Sequence, residues 1–357
     1  MKKQSENIIG EDISQIVDAI ADISKKLEGK TVMITGGSGF LGKYIIGTIH
    51  YLNENKFKKP CTIISLDNYI TSAHNDYYKI PKNPHIIYKK RNVIKPIAIK
   101  SSIDYIIHAA GIASPVYYQK YPLETIEVAV DGTKNMLDLA RHKKVKSFLF
   151  FSSSEIYGNP TPDAIPTKET YNGNVSSIGP RSCYDESKRL GETFCMNYFS
   201  LYQTPIKIVR PFNIYGPGMR PHDYRVIPSF ISNALNKKPL PVHLNGKQTR
   251  TFCYIADATV AIFKVLLSEQ SGEVYNIGND EKEMDMNELA QTLNQVFDKK
   301  LVINHIPYPK DYPGGEPQRR CPDLHKIKSK LGYKPAVSLK EGLARTATWC
   351  RVNWDQK

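Results

Sequence analysis

The sequence contains no uninterrupted apolar run of about 18 residues, the length that a membrane-spanning helix needs. Its first residues, MKKQSENIIGEDIS, lack the apolar core of a secretory signal peptide. The six cysteines show neither CxxC nor CxxH spacing, so the sequence predicts no zinc site and no redox dithiol. We therefore expect a cytoplasmic protein with reduced thiols, no metal and no membrane association.

Acidic residues are scarce relative to basic ones, with 35 Asp and Glu against 49 Lys and Arg, for a formal charge of +14. Such an excess raises the question of nucleic acid, because basic proteins gain affinity by neutralising phosphates. The lysines, however, occur as scattered pairs such as Lys89 and Lys90, not as one block interleaved with aromatic residues. We expect no nucleic-acid partner, and the positive field favours the collection of an anionic small molecule.

Short apolar runs alternate with segments of helical periodicity over the first 210 residues. The runs are KTVMITGG, TIISLDN, YIIHAAG, SFLFFSSSEIYG and IKIVRPFNIYG. This alternation predicts an α/β fold, a Rossmann-type doubly wound parallel sheet. Near residue 211 proline and glycine become frequent, and there we expect a smaller C-terminal α/β lobe that binds the substrate. A chain of 357 residues is long enough for two such units.

A glycine-rich turn follows the first predicted strand. Gly36, Gly39 and Gly42 form G-x-x-G-x-x-G at the start of a predicted helix, where backbone can approach a diphosphate. Asp67 ends the next predicted strand, where a carboxylate binds the ribose hydroxyls of NAD and repels the extra phosphate of NADP. The alternative, turn glycines with a surface aspartate, is disfavoured by this order of elements. The sequence predicts NAD as cofactor.

Tyr184 and Lys188 form Y-x-x-x-K on a predicted helix, a spacing that places both side chains on one face. A neighbouring ammonium lowers the pKa of a tyrosine, so a phenolate could take a hydroxyl proton while hydride leaves the same carbon. The motif is common by chance. It gains weight here from the glycine turn and from SSSEIYG between the two.

These elements resemble the extended short-chain dehydrogenase/reductase family, the NAD-dependent epimerases and dehydratases that act on nucleotide sugars. The resemblance covers about residues 30 to 350 and includes HAAG at 108–111, RPFNIYGPG at 210–218 and QTRTFCYIADA at 248–258. GPRSCYDESKRLGET, SSSEIYGNP and QRRCPD are most similar to the UDP-glucuronate decarboxylases, also called UDP-xylose synthases. The resemblance implies a nucleoside-diphosphate sugar as substrate.

The resemblance also implies roles for individual side chains. Tyr184 is the base, Lys188 its partner, and Ser153 hydrogen-bonds the sugar at O4. Glu155 serves acid-base chemistry near C5, as in decarboxylases and dehydratases. Arg320 faces the glucuronate carboxylate, and its neighbour Arg319 is an alternative.

Binding residues follow from the same resemblance. Asn213, Arg225 and Arg250 hold the diphosphate and the sugar, since charge-assisted donors suit phosphate oxygens. Ser154, His243 and Arg320 complete the predicted substrate contacts. The predicted cofactor contacts are Gly36, Gly39, Phe40, Leu41, Gly42, Asp67, Asn68, Asn92, Ala109, Ala110, Tyr184 and Lys188.

The sequence departs from the family pattern at several positions. Ala129 replaces a frequent Asn, and Asn92 replaces the Asp that commonly meets the adenine, which bears on cofactor binding. His243 and Leu244 replace the Tyr-Gly of PxYGxGxQxR, a loop that lies against the nucleobase in the family. The base therefore need not be uracil.

The expected organisation has three parts. Residues 1–29 form an N-terminal amphipathic helical extension, because Ile13, Ile16, Val17 and Ile20 recur at helical spacing. Residues 30–210 form the NAD-binding domain, to which 248–265 return. Residues 211–247 and 266–350 form the nucleotide-sugar-binding lobe, and a homodimer is expected from the resemblance.

The expected reaction is oxidation of UDP-glucuronate at C4, loss of carbon dioxide from the resulting β-keto acid, and re-reduction to UDP-xylose. Release at the 4-keto-pentose stage is left open. An NDP-hexose 4,6-dehydratase is the nearest alternative, followed by an epimerase. A non-catalytic dinucleotide-binding regulator is a remote one, because such proteins typically lose the Tyr-Lys pair.

Overall fold

The computed structural model describes residues 2–71, 80–221, 225–298, 301–309 and 314–354. The helices of this part of the chain are α1 (Lys2–Ala19), α2 (Ala21–Ser24), α3 (Phe40–Asn55), α4 (Pro115–Lys120), α5 (Pro122–Lys143), α6 (Ser182–Tyr202), α7 (Val226–Leu235), α8 (Ile255–Leu266), α9 (Met286–Phe297), α10 (His325–Leu331) and α11 (Leu339–Asn353). Its strands are β1 (Thr31–Thr35), β2 (Thr62–Asp67), β3 (Ile86–Lys90), β4 (Tyr105–His108), β5 (Ser147–Phe151), β6 (Ile206–Pro211), β7 (Ile214–Tyr215), β8 (Leu240–His243), β9 (Thr249–Arg250), β10 (Cys253–Tyr254), β11 (Glu273–Ile277), β12 (Met284–Asp285), β13 (Ile303–Ile306) and β14 (Arg319–Arg320).

A parallel sheet forms the centre of the molecule, with strands in the order β11-β6-β5-β4-β1-β2-β3. Apolar residues fill successive positions of β1, β4 and β5, as expected for strands covered on both faces. The predicted Rossmann-type α/β fold is confirmed. β3 was not expected from the sequence, because it is an edge strand whose last four residues are exposed and show no apolar run.

Side chains of each strand alternate between two hydrophobic cores. Val32 and Ile34 of β1 pack with α3 and α8 on one face, while Met33 packs with α5 and α6 on the other. Because neighbouring strands of the sheet are all parallel, their carboxyl ends lie at one edge. The connections that lead to α3 and α6 begin at this edge. In parallel α/β sheets, ligands bind at that edge.

Small sheets follow in the C-terminal half. β9 lies between β12 and β14 and aligns Arg250 with Arg320. β8 pairs with β13. The division of the chain into domains stays a prediction, although Glu273–Ile277, assigned to the lobe by the sequence, pairs with β6 inside the central sheet. Its apolar residues pack on the main core, which a local pattern cannot indicate.

The N-terminal extension packs on α3, α8 and α11 through the isoleucines and valine that predicted it. Asp12 of α1 lies fully buried among these helices. It accepts hydrogen bonds from Tyr44 at 3.0 Å, Tyr254 at 2.8 Å and Arg345 at 2.9 Å. Burial raises the pKa of Asp12 to about 6, against the opposing effect of these donors. The extension is thus joined to the helix that carries the glycine turn.

Replacing Asp12 by alanine is expected to lower the free energy of unfolding by about 3 kcal/mol, because it removes the acceptor of two buried tyrosine hydroxyls and one of the partners of Arg345. Urea unfolding at about pH 4, below the raised pKa of Asp12, measures this loss. Asp18→Ala is the matched control, since Asp18 is exposed on the same helix. Because the pKa of Asp12 is raised on folding, its share of stability is present below about pH 4 and is lost as the pH rises through about 6. Equal unfolding curves for the two variants would contradict a bonding role for Asp12.

Among the described residues, none of the helices combines the length and apolar character needed to cross a membrane. In the same ranges no group of three or more His, Cys, Asp or Glu side chains is arranged to hold a metal ion.

Candidate active site

The glycine turn between β1 and α3 leaves no room for side chains. Gly36 has a φ of 73°, and a Cβ there would lie 2.9 Å from the carbonyl oxygen of Ala109. At Gly42 a Cβ would lie 2.5 Å from the oxygen of Gly36, so the first turn of α3 packs directly on the loop. The helix N-terminus and its free N–H groups are thereby open to a diphosphate. This backbone cradle fits the diphosphate of NAD.

Asp67 ends β2 beside the same turn. Its Oδ2 accepts from the backbone N–H of Ser38 at 3.1 Å, and its Oδ1 accepts from that of Tyr69 at 2.8 Å. The carboxylate is therefore fixed at the edge where a ribose would lie. We call the surrounding depression the cofactor cleft, and the predicted cofactor residues that line it are Gly36, Gly39, Phe40, Leu41, Gly42, Asp67, Asn68, Asn92, Ala109 and Ala110.

Tyr184 and Lys188 lie one turn apart on α6, as predicted. Tyr184 is buried, stacks on Tyr118 with 5.5 Å between ring centroids, and hydrogen-bonds Ser153. The ammonium of Lys188 lies 5.9 Å from the Tyr184 ring centroid and donates to the carbonyl oxygen of Phe151 at 2.6 Å.

The electrostatics of this pair differ from the simple expectation. Burial raises the pKa of Tyr184 to about 12, while the hydrogen bond with Ser153 lowers it. Burial lowers the pKa of Lys188 to about 8. Burial is the largest effect on Tyr184, so the net shift of its pKa in this structure is upward.

Glu155 follows Ser153 in a short 3-10 turn, Ser154–Tyr157. Arg320 donates to it twice, from Nη1 to Oε1 at 2.5 Å and from Nη2 to Oε2 at 2.7 Å. Arg181 donates to Oε2 at 2.5 Å. Burial opposes the charge of Glu155, but the two guanidiniums outweigh it and lower its pKa to about 2. The carboxylate is firmly ionised in this arrangement.

A second cleft adjoins the first, and we call it the substrate cleft. The predicted residues that line it are Glu155, Tyr184, Asn213, Arg225, His243, Arg250 and Arg320. Arg225 lines both clefts, so the two are continuous. Ser153 and Ser154 are buried and are not among the residues that line the two clefts, so their predicted substrate contacts stay predictions.

Two predicted binding residues already have protein partners. Arg250 donates to Glu316 at 2.6 Å and to the carbonyl oxygen of Pro317 at 2.8 Å. Asn213, with a φ of 40°, donates to the carbonyl oxygen of Thr251 at 2.9 Å. The ring of His243 lies 4.6 Å from that of Tyr308, and together they form an aromatic wall of the substrate cleft. Arg319 is half-exposed and pairs with Glu283, so Arg320 is the arginine that reaches the cleft.

Sequence reasoning missed Arg181, Asp185 and Glu316. Arg181 precedes α6 and lies 3.7 Å from Glu316 and 4.0 Å from Asp185. Burial raises the pKa of Asp185 to about 7, with the charge of Glu155 adding to the shift. The signal for Arg181 was available, since GPRSCYDESK places an arginine three residues before Tyr184 at the start of the same helix. Glu316 had no such local signal.

Comparison with known proteins gives concordant results. The profile of the NAD dependent epimerase/dehydratase family matches residues 32–278. UDP-glucuronic acid decarboxylase 2 of Arabidopsis thaliana is 38% identical over 318 residues, covering 89% of this chain and 67% of that protein. An epimerase structure from Methanothermobacter thermautotrophicus has a TM-score of 0.79 at 28% identity, covering 95% of this chain and 96% of its own. A dTDP-glucose 4,6-dehydratase from Streptomyces venezuelae with NAD bound has a TM-score of 0.76 at 25% identity, covering 90% and 97%.

The family profile spans more than half of the chain. The chain belongs to the NAD dependent epimerase/dehydratase family.

Proposed function

We propose that the protein is an NAD-dependent UDP-glucuronate decarboxylase. The observation that carries the proposal is Glu155, held in the substrate cleft by Arg320 and Arg181 next to the Tyr184–Ser153 pair. A carboxylate and an arginine beside the oxidising tyrosine suit a substrate that must be both deprotonated at a hydroxyl and reprotonated at carbon. The Arabidopsis relative, named a UDP-glucuronic acid decarboxylase, supports the same reaction.

The residues divide the reaction between them. NAD, which the glycine turn and Asp67 would hold, would supply the hydride acceptor for C4 and the donor for the final reduction. Tyr184 takes the O4 proton, with Ser153 holding that oxygen and Lys188 fixed beneath the tyrosine ring. The 4-keto group is then β to the C6 carboxylate, so the C5–C6 electron pair can move toward O4 as carbon dioxide leaves. Glu155 supplies the proton that C5 then requires, and Tyr184 returns its proton to O4 as the ketone is reduced.

Three arginines that line the substrate cleft recognise the anionic groups of the substrate. Arg225 and Arg250 are the cations for the diphosphate, and Arg320 is the cation for the sugar carboxylate. His243 and Tyr308 offer aromatic faces for the nucleobase.

Incubation of the purified protein with NAD and a panel of UDP-, dTDP-, GDP- and CDP-sugars tests the proposal by product mass. We expect UDP-glucuronate to lose the mass of carbon dioxide, because the 4-keto acid decarboxylates once formed. Loss of one water from a neutral NDP-hexose, with UDP-glucuronate unchanged, would instead identify a 4,6-dehydratase. The same assay separates the two endings, since UDP-xylose leaves no net NADH and a released 4-keto-pentose leaves one equivalent.

The proposed enzyme is a cytoplasmic homodimer. α5 and α6 pack against each other and expose apolar side chains, namely Leu123, Ile126, Leu190, Met196 and Leu201. A pair of helices with such a surface is suited to meet its copy across a two-fold axis. The six free cysteines agree with a reducing compartment.

A further inference from the structure

Arg320 has two tasks in the proposed reaction that it cannot perform together. Both of its terminal nitrogens donate to Glu155, and among the described residues its Nε has no hydrogen-bond partner. A substrate carboxylate can make a two-point contact only through these same terminal nitrogens, because the other donor pair of the guanidinium includes Nε, which is buried. Glu155, meanwhile, is a poor proton donor while two guanidiniums hold it ionised. Arg320 must therefore leave Glu155 when the substrate binds.

We propose that Arg181 is a positioning residue that retains Glu155 through Oε2 while Arg320 exchanges Glu155 for the substrate carboxylate, and that this exchange frees Oε1 to protonate the sugar at C5. The inference rests on the proposed decarboxylase function. It assigns Arg181 a task that differs from that of Arg320, although both contact the same carboxylate.

The two arginines reach Glu155 from separate elements. Arg320 belongs to β14, whereas Arg181 immediately precedes α6, the helix that carries Tyr184 and Lys188. Arg181 is buried, with 8% of its surface exposed. Movement of Arg320 therefore leaves the contact between Arg181 and Glu155 intact, and that contact fixes Glu155 relative to the catalytic tyrosine.

The other neighbours of Arg181 compete weakly for it. Asp185 lies 4.0 Å away and Glu316 lies 3.7 Å away, against 2.5 Å for Glu155. Glu316 makes its short contact, at 2.6 Å, with Arg250. Burial raises the pKa of Asp185, which disfavours its charged form. Glu155 is thus the principal partner of Arg181.

The exchange changes the chemistry of one oxygen. In the described structure Oε1 accepts only from Arg320, whereas Oε2 accepts from both arginines. When Arg320 moves to the substrate, Oε1 loses its donor and the pKa of Glu155 rises, because one of two adjacent cations has left. Oε1 then takes a proton from water and transfers it to C5 of the enolate that decarboxylation leaves. One proton is consumed for each carbon dioxide released, and Arg320 is free to return to the ionised Glu155.

Single-turnover experiments with UDP-glucuronate separate this task from catalysis by Tyr184. In Arg181→Gln we expect NADH to form nearly as fast as in the wild type but to disappear about tenfold more slowly. A tenfold slowing is the effect expected from the loss of one charge-assisted hydrogen bond. More 4-keto-pentose should be released. Arg181→Lys should restore part of the second step, since it keeps the charge and loses the planar fork. Arg319→Gln, a neutralised arginine outside the cleft, is the control and should match the wild type.

Equal slowing of NADH formation and disappearance in Arg181→Gln would overturn the inference, because damage to α6 affects both steps. Unchanged disappearance would overturn it as well. Thermal unfolding identifies a misfolded glutamine variant, and in that case the lysine variant decides, with a selective slowing of the second step expected. If the wild type leaves UDP-glucuronate unchanged, the proposed function itself fails, and the inference fails with it.

Discussion

Tyr184→Phe is expected to reduce turnover of the sugar nucleotide by about 10³-fold, within the range for loss of a general acid-base group. This is about 4 kcal/mol of transition-state stabilisation. The substitution removes only the hydroxyl, so the stacked contact with Tyr118 remains. Steady-state rates with UDP-glucuronate, together with NAD affinity measured by titration, check the result. NAD affinity and melting temperature should stay close to those of the wild type.

Tyr275→Phe is the matched control. Tyr275 is buried in β11, and its hydroxyl has no hydrogen-bond partner among the described residues. Its loss should leave turnover unchanged. Substantial turnover by Tyr184→Phe would assign the O4 proton to another group.

The sequence was most informative where a local pattern has a single structural solution. Gly36 and Gly42 predicted the diphosphate cradle because a Cβ at either position would collide with backbone. Asp67 followed from its place at the end of β2. The spacing of Tyr184 and Lys188 sufficed to place both on one face of α6. In each case a few consecutive residues contain the whole signal.

Contacts between segments that are distant in the sequence could not be predicted from local patterns. Arg320 lies 165 positions from Glu155, and the family resemblance predicted that it faces a substrate carboxylate. In the structure Arg320 pairs with Glu155, because a buried carboxylate requires a neighbouring cation. Glu316 was missed for the same reason, since its partners Arg181 and Arg250 come from different elements. Which charges meet in the cleft depends on how β9 and β14 align.

Glu155→Gln is expected to stop product formation after the oxidation step, with a fall in complete turnovers of about 10²-fold or more. An amide cannot carry a proton to C5, whereas Tyr184 and Ser153 remain able to start the reaction. NADH should therefore accumulate in a single turnover with UDP-glucuronate. Glu155→Asp keeps the charge and should retain part of the second step. Glu283→Gln, which neutralises the partly buried partner of Arg319, is the control for loss of a carboxylate.

The same substitution has a consequence for stability. Glutamine leaves the buried Arg320 without its counter-charge and leaves Arg181 with only the more distant Glu316 and Asp185, so we expect a loss of about 3 kcal/mol in the free energy of unfolding at neutral pH. The pKa of Glu155 is lowered on folding to about 2, so its stabilising share is present above about pH 4.5 and is lost as the pH falls toward 2. Unfolding measured across this acidic range should be less pH-dependent in the variant. If Glu155→Gln completes the reaction at the wild-type rate, the C5 proton comes from another source, and the exchange of Arg320 has no catalytic purpose.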